Sequence, residues 1–283
     1  MNNAQTLPDN SVHGVVSFDL LVGDNAVDPT VEVLAVQVAK SVNRVPFARI
    51  NLRDGSAEEA TFSLSEGETF VPGKEVEVKV GYDQNNETVF KGVIVKQRIK
   101  FKANGESYLQ VECQDKAFAM TLGRKNRYFT DVKDSDAYGE IIAEYGLSSE
   151  LTDTSVTHRE LVQYHASDWD FLLTRAEANG HLVLAADGKI TVAPPKVSGS
   201  PKLQLSFGGN LLAFDAEMDA RHQWKSVTAQ AWNPTDQALF EATSESVDFT
   251  ENGNLSGQKL SEVGGLDTFA LRHAGFLAED ELQ

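Results

Sequence analysis

The chain has 283 residues, of which 41% are hydrophobic and 24% are charged, as in a soluble globular protein of one large domain or two ordinary ones. Its net charge of -17 excludes a general nucleic-acid binder and disfavours an anionic membrane, since both need basic surfaces. No apolar run approaches the roughly 18 residues that span a bilayer, and no signal peptide is visible. Cys113 is the single cysteine, which rules out an intrachain disulfide. We expect folding in a reducing cytoplasm.

Hydrophobic residues alternate with polar ones throughout the first half of the chain. This period-two pattern predicts strands, and turn signals such as Asp54-Gly55 and Pro72-Gly73 separate them. The predicted strands lie near residues 16–22, 34–38, 48–52, 76–82, 93–99 and 109–113. Short strands joined by tight turns close most easily as an antiparallel barrel or sandwich, which we predict for residues 12–118.

The pattern changes to a helical period in the middle of the chain. Residues 135–145 and 168–179 are predicted helices, ended by Gly146 and Gly180. Asp168 and Asp170 lie in the first turn of the second helix, where their charges favour the positive end of the helix dipole. Strands are predicted again between Gly180 and residue 242.

The end of the chain has weaker patterns. Residues 203–207, 227–232 and 238–242 are predicted strands, 251–265 a loop, and 278–283 the first turn of a helix. One internal echo is present, because Phe90 follows Tyr82 by eight positions and Phe240 follows Trp232 by eight. Duplication of a barrel would produce this echo, and so would chance.

Motifs for catalysis, metal binding and cofactor binding are not found in the sequence. P-loop, GxGxxG, HExxH and GxSxG patterns do not occur. His158 and His165 are close in sequence but have no obvious third ligand, and Cys113 lies in an apolar strand, which is typical of an inert thiol. The carboxylate pairs Asp134/Asp136 and Asp168/Asp170 could act as general acid and base, but helix capping explains both. We expect no catalytic residue, no metal and no cofactor.

Two further sets of residues have an alternative functional interpretation. An anion could bind to the basic cluster of Arg124, Lys125 and Arg127, which lies beside Tyr128 and Phe129. Salt bridges between this cluster and acidic residues are the simpler explanation. Core packing is the simplest role for Trp169, Trp224 and Trp232. Trp224, next to Arg221 and His222, could instead anchor an interface.

Three stretches of the chain have a familiar combination of residues: GRKNRYFTDVKDSDAYGEIIAEYGL at 123–147, HRELVQYHASDWDFLLTRAEANGHLV at 158–183, and FDAEMDARHQW at 214–224. They resemble the VgrG family and the related baseplate hub proteins of contractile-tailed phages. KSVNRVPFARINLRD at 40–54 and FVPGKEVEVKVGY at 70–82 fit the first barrel of that family. The resemblance therefore covers most of the chain.

The resemblance implies a mainly β fold with two related antiparallel barrels joined by a helical region. On this basis we expect a flexible N-terminus at 1–11, a first hub barrel at 12–130, a helical region at 131–180 and a second hub barrel at 181–250. Residues 251–283 would lead to a spike domain that this sequence does not contain. The structural or interface residues implied by the family motifs are Arg124, Arg127, Tyr128, Tyr164, Asp168, Trp169, Asp170, Phe171, Gly180 and Trp224.

The same resemblance implies a structural function. Three chains with two similar barrels each would form six near-equivalent units that join a hexameric inner-tube protein to a puncturing spike or tip protein, among other baseplate proteins. The implied location is cytoplasmic assembly followed by incorporation into a secreted or virion-like particle, namely a type VI system, an extracellular injection particle or a phage tail. A cell-wall hydrolase attached to such a hub and a monomeric carbohydrate-binding β module are the alternatives.

Overall fold

The structure is a computed structural model that describes residues 14–56, 58, 60–101, 107–196, 204–234, 236–244, 254–273, 277 and 279–282. The chain divides into a first unit, His13–Pro195, and a second unit, Lys196–Gln283 with Met1–Val12. Strands predominate over helices, which confirms the mainly β prediction. The predicted flexible segment 1–11 lies outside the described residues.

A seven-stranded sheet occupies the N-terminal part of the first unit. Its strands are β1 Val16–Val22, β2 Asn25–Ala26, β3 Val33–Ala39, β4 Phe47–Arg53, β5 Glu75–Tyr82, β6 Asn85–Phe101 and β7 Ser107–Gln114, with the short helix α1 Ser63–Glu66 after β4. The order is β2-β1-β5-β6-β7-β4-β3, and every pairing is antiparallel. The strands predicted from residues 16 to 113 are therefore confirmed.

One face of this sheet forms a hydrophobic core. Alternate residues point inward, so Ile50 and Leu52 of β4 are fully buried with Leu109 and Val111 of β7. Within the described residues, no ladder joins the end strands β2 and β3, so the sheet is open there. The pair of closed barrels stays a prediction.

Helices and short strands follow the sheet. After a 3-10 helix at Lys116–Thr121 come β8 Lys125–Lys133, α2 Asp134–Glu144, β9 Ser148–Leu151, β10 Thr157–Ala166, α3 Asp168–Ala178, β11 Leu182–Ala186 and β12 Lys189–Ala193. Both predicted helices are confirmed to within about one residue. The strands β8, β9 and β10 were not predicted from the sequence. The strands β8 and β10 pair as an antiparallel two-stranded ribbon, and β9 pairs in parallel with β12.

A second hydrophobic core packs α2 and α3 against these strands. Fully buried Tyr138, Ile141 and Ile142 of α2 meet Leu172 of α3, and buried residues of β11 and β12 join the same cluster. Residues 181–195, which the sequence analysis placed at the start of a second barrel, therefore belong to the first unit.

The second unit contains a three-stranded sheet, β13 Ser226–Asn233, β14 Ala238–Thr243 and β15 Thr268–His273, with helices α4 Gly257–Gly264 and α5 Glu279–Leu282. The central strand β13 pairs antiparallel with β14 and parallel with β15. The prediction of a loop over 251–265 is wrong at α4, where the Ser256 side chain accepts a hydrogen bond from the Lys259 amide.

The strand predicted at 203–207 is not found in its described part. Residue 203 lies outside the described residues, and residues 204–207 form no strand, only an isolated bridge between Phe207 and Leu211. In the part of the chain that the structure describes, none of the helices has the length and apolarity required to cross a bilayer.

Candidate functional site

The ribbon β8–β10 and helix α3 hold most of the residues that the family motifs single out. Leu161 pairs with Phe129, Val162 with Tyr128 and Gln163 with Arg127. Because side chains alternate along each strand, one face of the ribbon is buried against the helices while the other is exposed. The site therefore has an inner, polar part and an outer, aromatic part.

Asp168 is the centre of the inner part. Its side chain is completely buried, and its Oδ2 accepts hydrogen bonds from Lys125 Nζ at 2.8 Å, Tyr145 Oη at 2.6 Å and Arg127 Nη2 at 3.2 Å. Its Oδ1 accepts a bond from Gln163 Nε2 at 2.8 Å. A buried carboxylate with this many donors, two of them cationic, is fully compensated.

The cations beside Asp168 extend to a second acid. Arg127 donates two hydrogen bonds to the Glu144 carboxylate, at 2.5 and 2.7 Å, and Lys125 Nζ lies 3.3 Å from the same group. Lys125 Nζ also lies 5.0 Å from the centre of the Tyr145 ring, a cation–π distance. These bonds connect β8 to α2 and α3. We define the Asp168 cluster as Lys125, Arg127, Glu144, Tyr145, Gln163 and Asp168.

The pKa values of the Asp168 cluster follow from these contacts. Burial acts to raise the pKa of the Asp168 carboxyl, but the bonds from Lys125, Tyr145 and Gln163 outweigh it, and the pKa is held below its usual value. The bond to Asp168 raises the pKa of Lys125, and burial raises the pKa of Tyr145. The Asp168 carboxylate and the Lys125 ammonium group are therefore held in their charged forms, and the Tyr145 hydroxyl stays neutral.

Asp134 forms a second buried centre at the start of α2. Its carboxylate accepts hydrogen bonds from Arg175 Nε at 2.6 Å, Arg175 Nη2 at 2.9 Å and Asn179 Nδ2 at 2.9 Å. His158 Nε2 also lies 2.9 Å from it. Burial acts to raise the pKa of the Asp134 carboxyl, but the bonds from Arg175 and Asn179 outweigh burial. The pKa of Asp134 therefore lies below its usual value. This cluster ties α2, α3 and β10 together.

The capping interpretation is half correct. Ser167 accepts a hydrogen bond from the Asp170 amide and donates one to the Asp170 carboxylate, and the Asp136 carboxylate accepts one from the Lys133 amide. Asp168 and Asp134 are not caps, because their buried side chains are bonded to Lys125 and Arg127 and to Arg175. The salt-bridge interpretation is confirmed for Lys125 and Arg127.

Aromatic residues occupy the outer face of the ribbon. Tyr128 and Tyr164 are 78% and 81% exposed, with Val162, the strand partner of Tyr128, between them at 43%. Arg124, just before β8, is also exposed. Exposed aromatic side chains in a row are typical of interaction surfaces.

The remaining motif residues of α3 pack in the core or end the helix. Trp169 and Phe171 are buried, and the Phe171 ring stacks on Phe129 with centroids 6.0 Å apart. Gly180 has a φ of +63°, and its amide donates to Glu177 while that of His181 donates to Ala176. This is a Schellman ending, which favours glycine.

Trp224 lies in the second unit. Its ring stacks on Phe269 of β15 with centroids 4.6 Å apart, and His222 meets it edge-on. The ring is half-buried rather than exposed. Packing within the second unit accounts for it.

The other candidates for chemistry have structural explanations. Burial raises the pKa of the Cys113 thiol to about 12, so the thiolate is suppressed. His158 is bound to Asp134, whereas His165 is exposed. Across the described ranges, no three His, Cys, Asp or Glu side chains are grouped closely enough to hold a metal ion.

Several residues of the two clusters were missed from the sequence. Tyr145, Glu144 and Gln163 of the Asp168 cluster are far from Lys125 along the chain, and nothing in their spacing predicts the contact. Arg175 and Asn179 are four residues apart on α3, which places them on one helix face. That spacing was the one available signal.

Comparison with solved structures shows the fold. The 43 kDa tail protein of prophage MuSo2 from Shewanella oneidensis matches with a TM-score of 0.66 and 13% identity, covering 95% of this chain and 76% of that one. A tail protein from Neisseria meningitidis MC58 gives 0.63 and 14%, covering 94% and 73%. The Francisella PdpA–VgrG complex in its lidded form gives 0.51 and 10%, covering 95% of this chain and 41% of that one. At these identities the similarity establishes a tail-protein fold.

Sequence comparison gives the family. No curated protein matches the chain. The Alg8 N-terminal domain family matches residues 12–283, which is nearly the whole sequence, and so the chain belongs to the Alg8 N-terminal domain family.

Proposed function

We propose that this chain is a non-enzymatic structural component of a contractile injection apparatus, where three copies link a hexameric inner tube to a puncturing spike. The observation that carries the proposal is the tail-protein fold, which extends over 95% of the chain. The hub-like motifs at 123–147 and 158–183 add support, and they contain the residues of the two buried ionic clusters of this chain.

The geometry of the clusters favours a scaffold over an enzyme. A general acid or base must reach substrate and exchange its proton near the working pH. Asp168 and Asp134 are buried, held by cations and kept ionised by a low pKa. They stabilise the packing of β8 and β10 on the helices.

The partners of this function are those implied by the hub resemblance. They are two further copies of the chain, the hexameric inner-tube protein, a spike or tip protein and other baseplate proteins. Tyr128, Tyr164 and Arg124 are exposed and suited to such contacts, whereas Arg127, Asp168, Trp169, Asp170, Phe171 and Gly180 hold the surface in place. The particle would assemble in the cytoplasm, as part of a type VI system, an extracellular particle or a phage tail.

One polar cleft of the first unit does not favour a carbohydrate-binding module. It has a volume of about 250 Å³ and is lined by Glu75, Glu77, Lys91, Lys116 and Asp187 among others, with no aromatic lining residue in the described part of the chain. Ligand sites are usually lined by apolar and aromatic side chains. The cleft instead carries ion pairs such as Lys116–Glu75.

Light scattering across a salt series tests the proposal. Three copies bring together about 51 like charges, so we expect a trimer that is weaker at low ionic strength and firmer at high ionic strength. A chain that is monomeric at high concentration and high salt, and that fails to bind its tube protein, would contradict the trimeric hub.

A further inference from the structure

A surface segment of the second unit has the alternating sequence of a β-strand but is not paired with any strand of the described residues. Residues 212–219 read Leu-Ala-Phe-Asp-Ala-Glu-Met-Asp, and residues 212–220 belong to no helix, strand or turn. Apolar side chains occupy positions 212, 214, 216 and 218, and acidic ones occupy 215, 217 and 219. This alternation is typical of a strand with one apolar and one acidic face. We call it the acidic segment.

The apolar side of the acidic segment is open to solvent. Leu212 is 98% exposed, Phe214 77% and Met218 65%. Burying a large apolar side chain stabilises a fold, so leaving three of them in water forgoes that stabilisation. Asp219 is paired with Arg221, whereas Asp215 and Glu217 are exposed. The segment has the features of a strand that binds a partner.

An open sheet edge with the opposite pattern lies in the first unit. Strand β6 pairs with β5 along residues 85–93 and with β7 along residues 93–101. Beyond Gln97, whose side chain bonds to the Phe70 carbonyl, no ladder in the described residues occupies the other edge of β6. Among the described residues, 98–101 therefore form a free edge, which can accept an added strand.

One face of β6 at this edge is apolar and the other is basic, which complements the apolar and acidic faces of the acidic segment. Ile99 and Phe101 lie on one face and are 47% and 75% exposed. Arg98 and Lys100 lie on the other, next to Lys96. A strand added here would place its apolar side chains beside Ile99 and Phe101 and its carboxylates beside the basic residues. Cross-strand pairs of opposite charge and of apolar side chains stabilise such an addition.

We propose that the acidic segment of one copy adds as a strand to the free edge of β6 in a second copy. Charge complementarity selects this partner, because copies with a net charge of -17 repel one another except where local charges of opposite sign meet. In the proposed contact, the carboxylates of Asp215 and Glu217 face Arg98 and Lys100 of the second copy. The donor segment and the acceptor edge are both present in every copy of the chain.

The contact is head-to-tail, since donor segment and acceptor edge are different surfaces. A head-to-tail contact closes into a ring when its rotation allows. A ring of three is the assembly of the proposed function, on which this inference therefore rests. The acidic segment would supply the specific bond between adjacent copies.

Charge reversal in the full chain tests the contact. Arg98→Glu/Lys100→Glu, or Asp215→Lys/Glu217→Lys, is expected to weaken association at least about 100-fold in sedimentation at about 0.15 M salt, because like charges then face each other. Combining all four substitutions restores the pairs with reversed sign and should recover association. Arg44→Glu/Lys259→Glu changes the net charge as much as the first variant, at exposed residues elsewhere, and is expected to have little effect.

Mixed cross-linking distinguishes contact between copies from contact within one. An Arg98→Cys protein is mixed with an Asp215→Cys protein and treated with a short bis-maleimide, while buried Cys113 stays unreactive. The expected product is a mixed dimer. A trimer without mixed dimer, unaffected by charge reversal, would overturn the strand addition and leave the hub proposal standing. Mixed dimer in an assembly that is not trimeric would support the contact and contradict the trimeric hub.

Discussion

The first and second units of the chain differ in how much of their hydrophobic surface they bury by themselves. The first has two large cores, with fully buried residues such as Phe90, Ile94, Tyr138 and Leu172. The described core of the second contains four buried residues, Ala229, Ala231, Ala242 and Leu282. Three of these are alanines, which contribute little apolar area each.

The apolar residues of the second unit are found mainly at its surface. Trp232 is 53% exposed and its strand partner Leu239 55%, and Phe207 is 95% exposed. An isolated domain of this size gains little stability from so small a core. The first unit therefore buries a core large enough to stabilise its own fold, whereas the described core of the second unit is small. In the proposed assembly, partners would cover the exposed apolar side chains of the second unit.

Removing a large side chain from each unit tests this contrast most directly. Phe90→Ala is expected to lower the free energy of unfolding by about 3–5 kcal/mol, because Phe90 is fully buried and a cavity would remain. Phe214→Ala should change it by no more than about 0.5 kcal/mol in the monomer. Urea titration at concentrations where the chain is monomeric measures both, and equal losses would contradict the contrast.

A second test concerns the ionic packing of the first unit. Asp168→Asn leaves Lys125 and Arg127 with Glu144 as their remaining acid and should cost about 3 kcal/mol, since half of a buried ion pair is lost. Asp136→Asn, at an exposed cap, is the matched control and should cost about 1 kcal/mol. If both variants lost the same amount in urea titration, the Asp168 cluster would not be a special source of stability.

The two units also differ in how well their structure could be predicted from sequence. The strands of the seven-stranded sheet were predictable because one of its faces is buried, which imposes a period of two on residues such as Val76 and Val78. Helix α4 was missed because Gly257, Gly264 and Gly265 resemble a loop, although the cap at Ser256 was a usable signal. Strand β15 was missed too, since all six of its residues are exposed.

The inner site was only partly predictable. The Asp168 and Asp134 carboxylates looked like caps because both lie in a first helical turn, and local rules assign that position to capping. Their real partners, such as Tyr145 for Asp168 and Arg175 for Asp134, are set by tertiary packing of α2 on α3. Tyr82 and Phe90 lie on the β5–β6 hairpin and Trp232 and Phe240 on the β13–β14 hairpin, so both pairs of the echo fall on antiparallel hairpins.

Acid should affect the first unit through its buried carboxylates. The folded pKa values of Asp168 and Asp134 lie below the usual value for aspartate. A depressed folded pKa contributes stability that is present above the unfolded pKa, near 4, and is lost as pH falls through the folded pKa. Unfolding free energy measured from pH 7 to pH 3 should therefore fall most steeply below about pH 4. The gap between Asp168→Asn and the wild type should narrow over that range, and a constant gap would contradict the assignment.

The smallest expected effect distinguishes two glycines of the first unit, one just after α3 and one inside α2. Gly180→Ala places a side chain at a φ of +63° and should cost about 1 kcal/mol, because a Cβ disfavours the left-handed region. Gly139→Ala lies inside α2, where the added Cβ would meet Leu151 Cδ1 at 3.6 Å, an ordinary contact, so stability should rise by about 0.5–1 kcal/mol. Thermal unfolding of both variants compares them directly. Since the same substitution is made at each site, a rise in stability at both would mean that the Schellman ending of α3 does not require glycine.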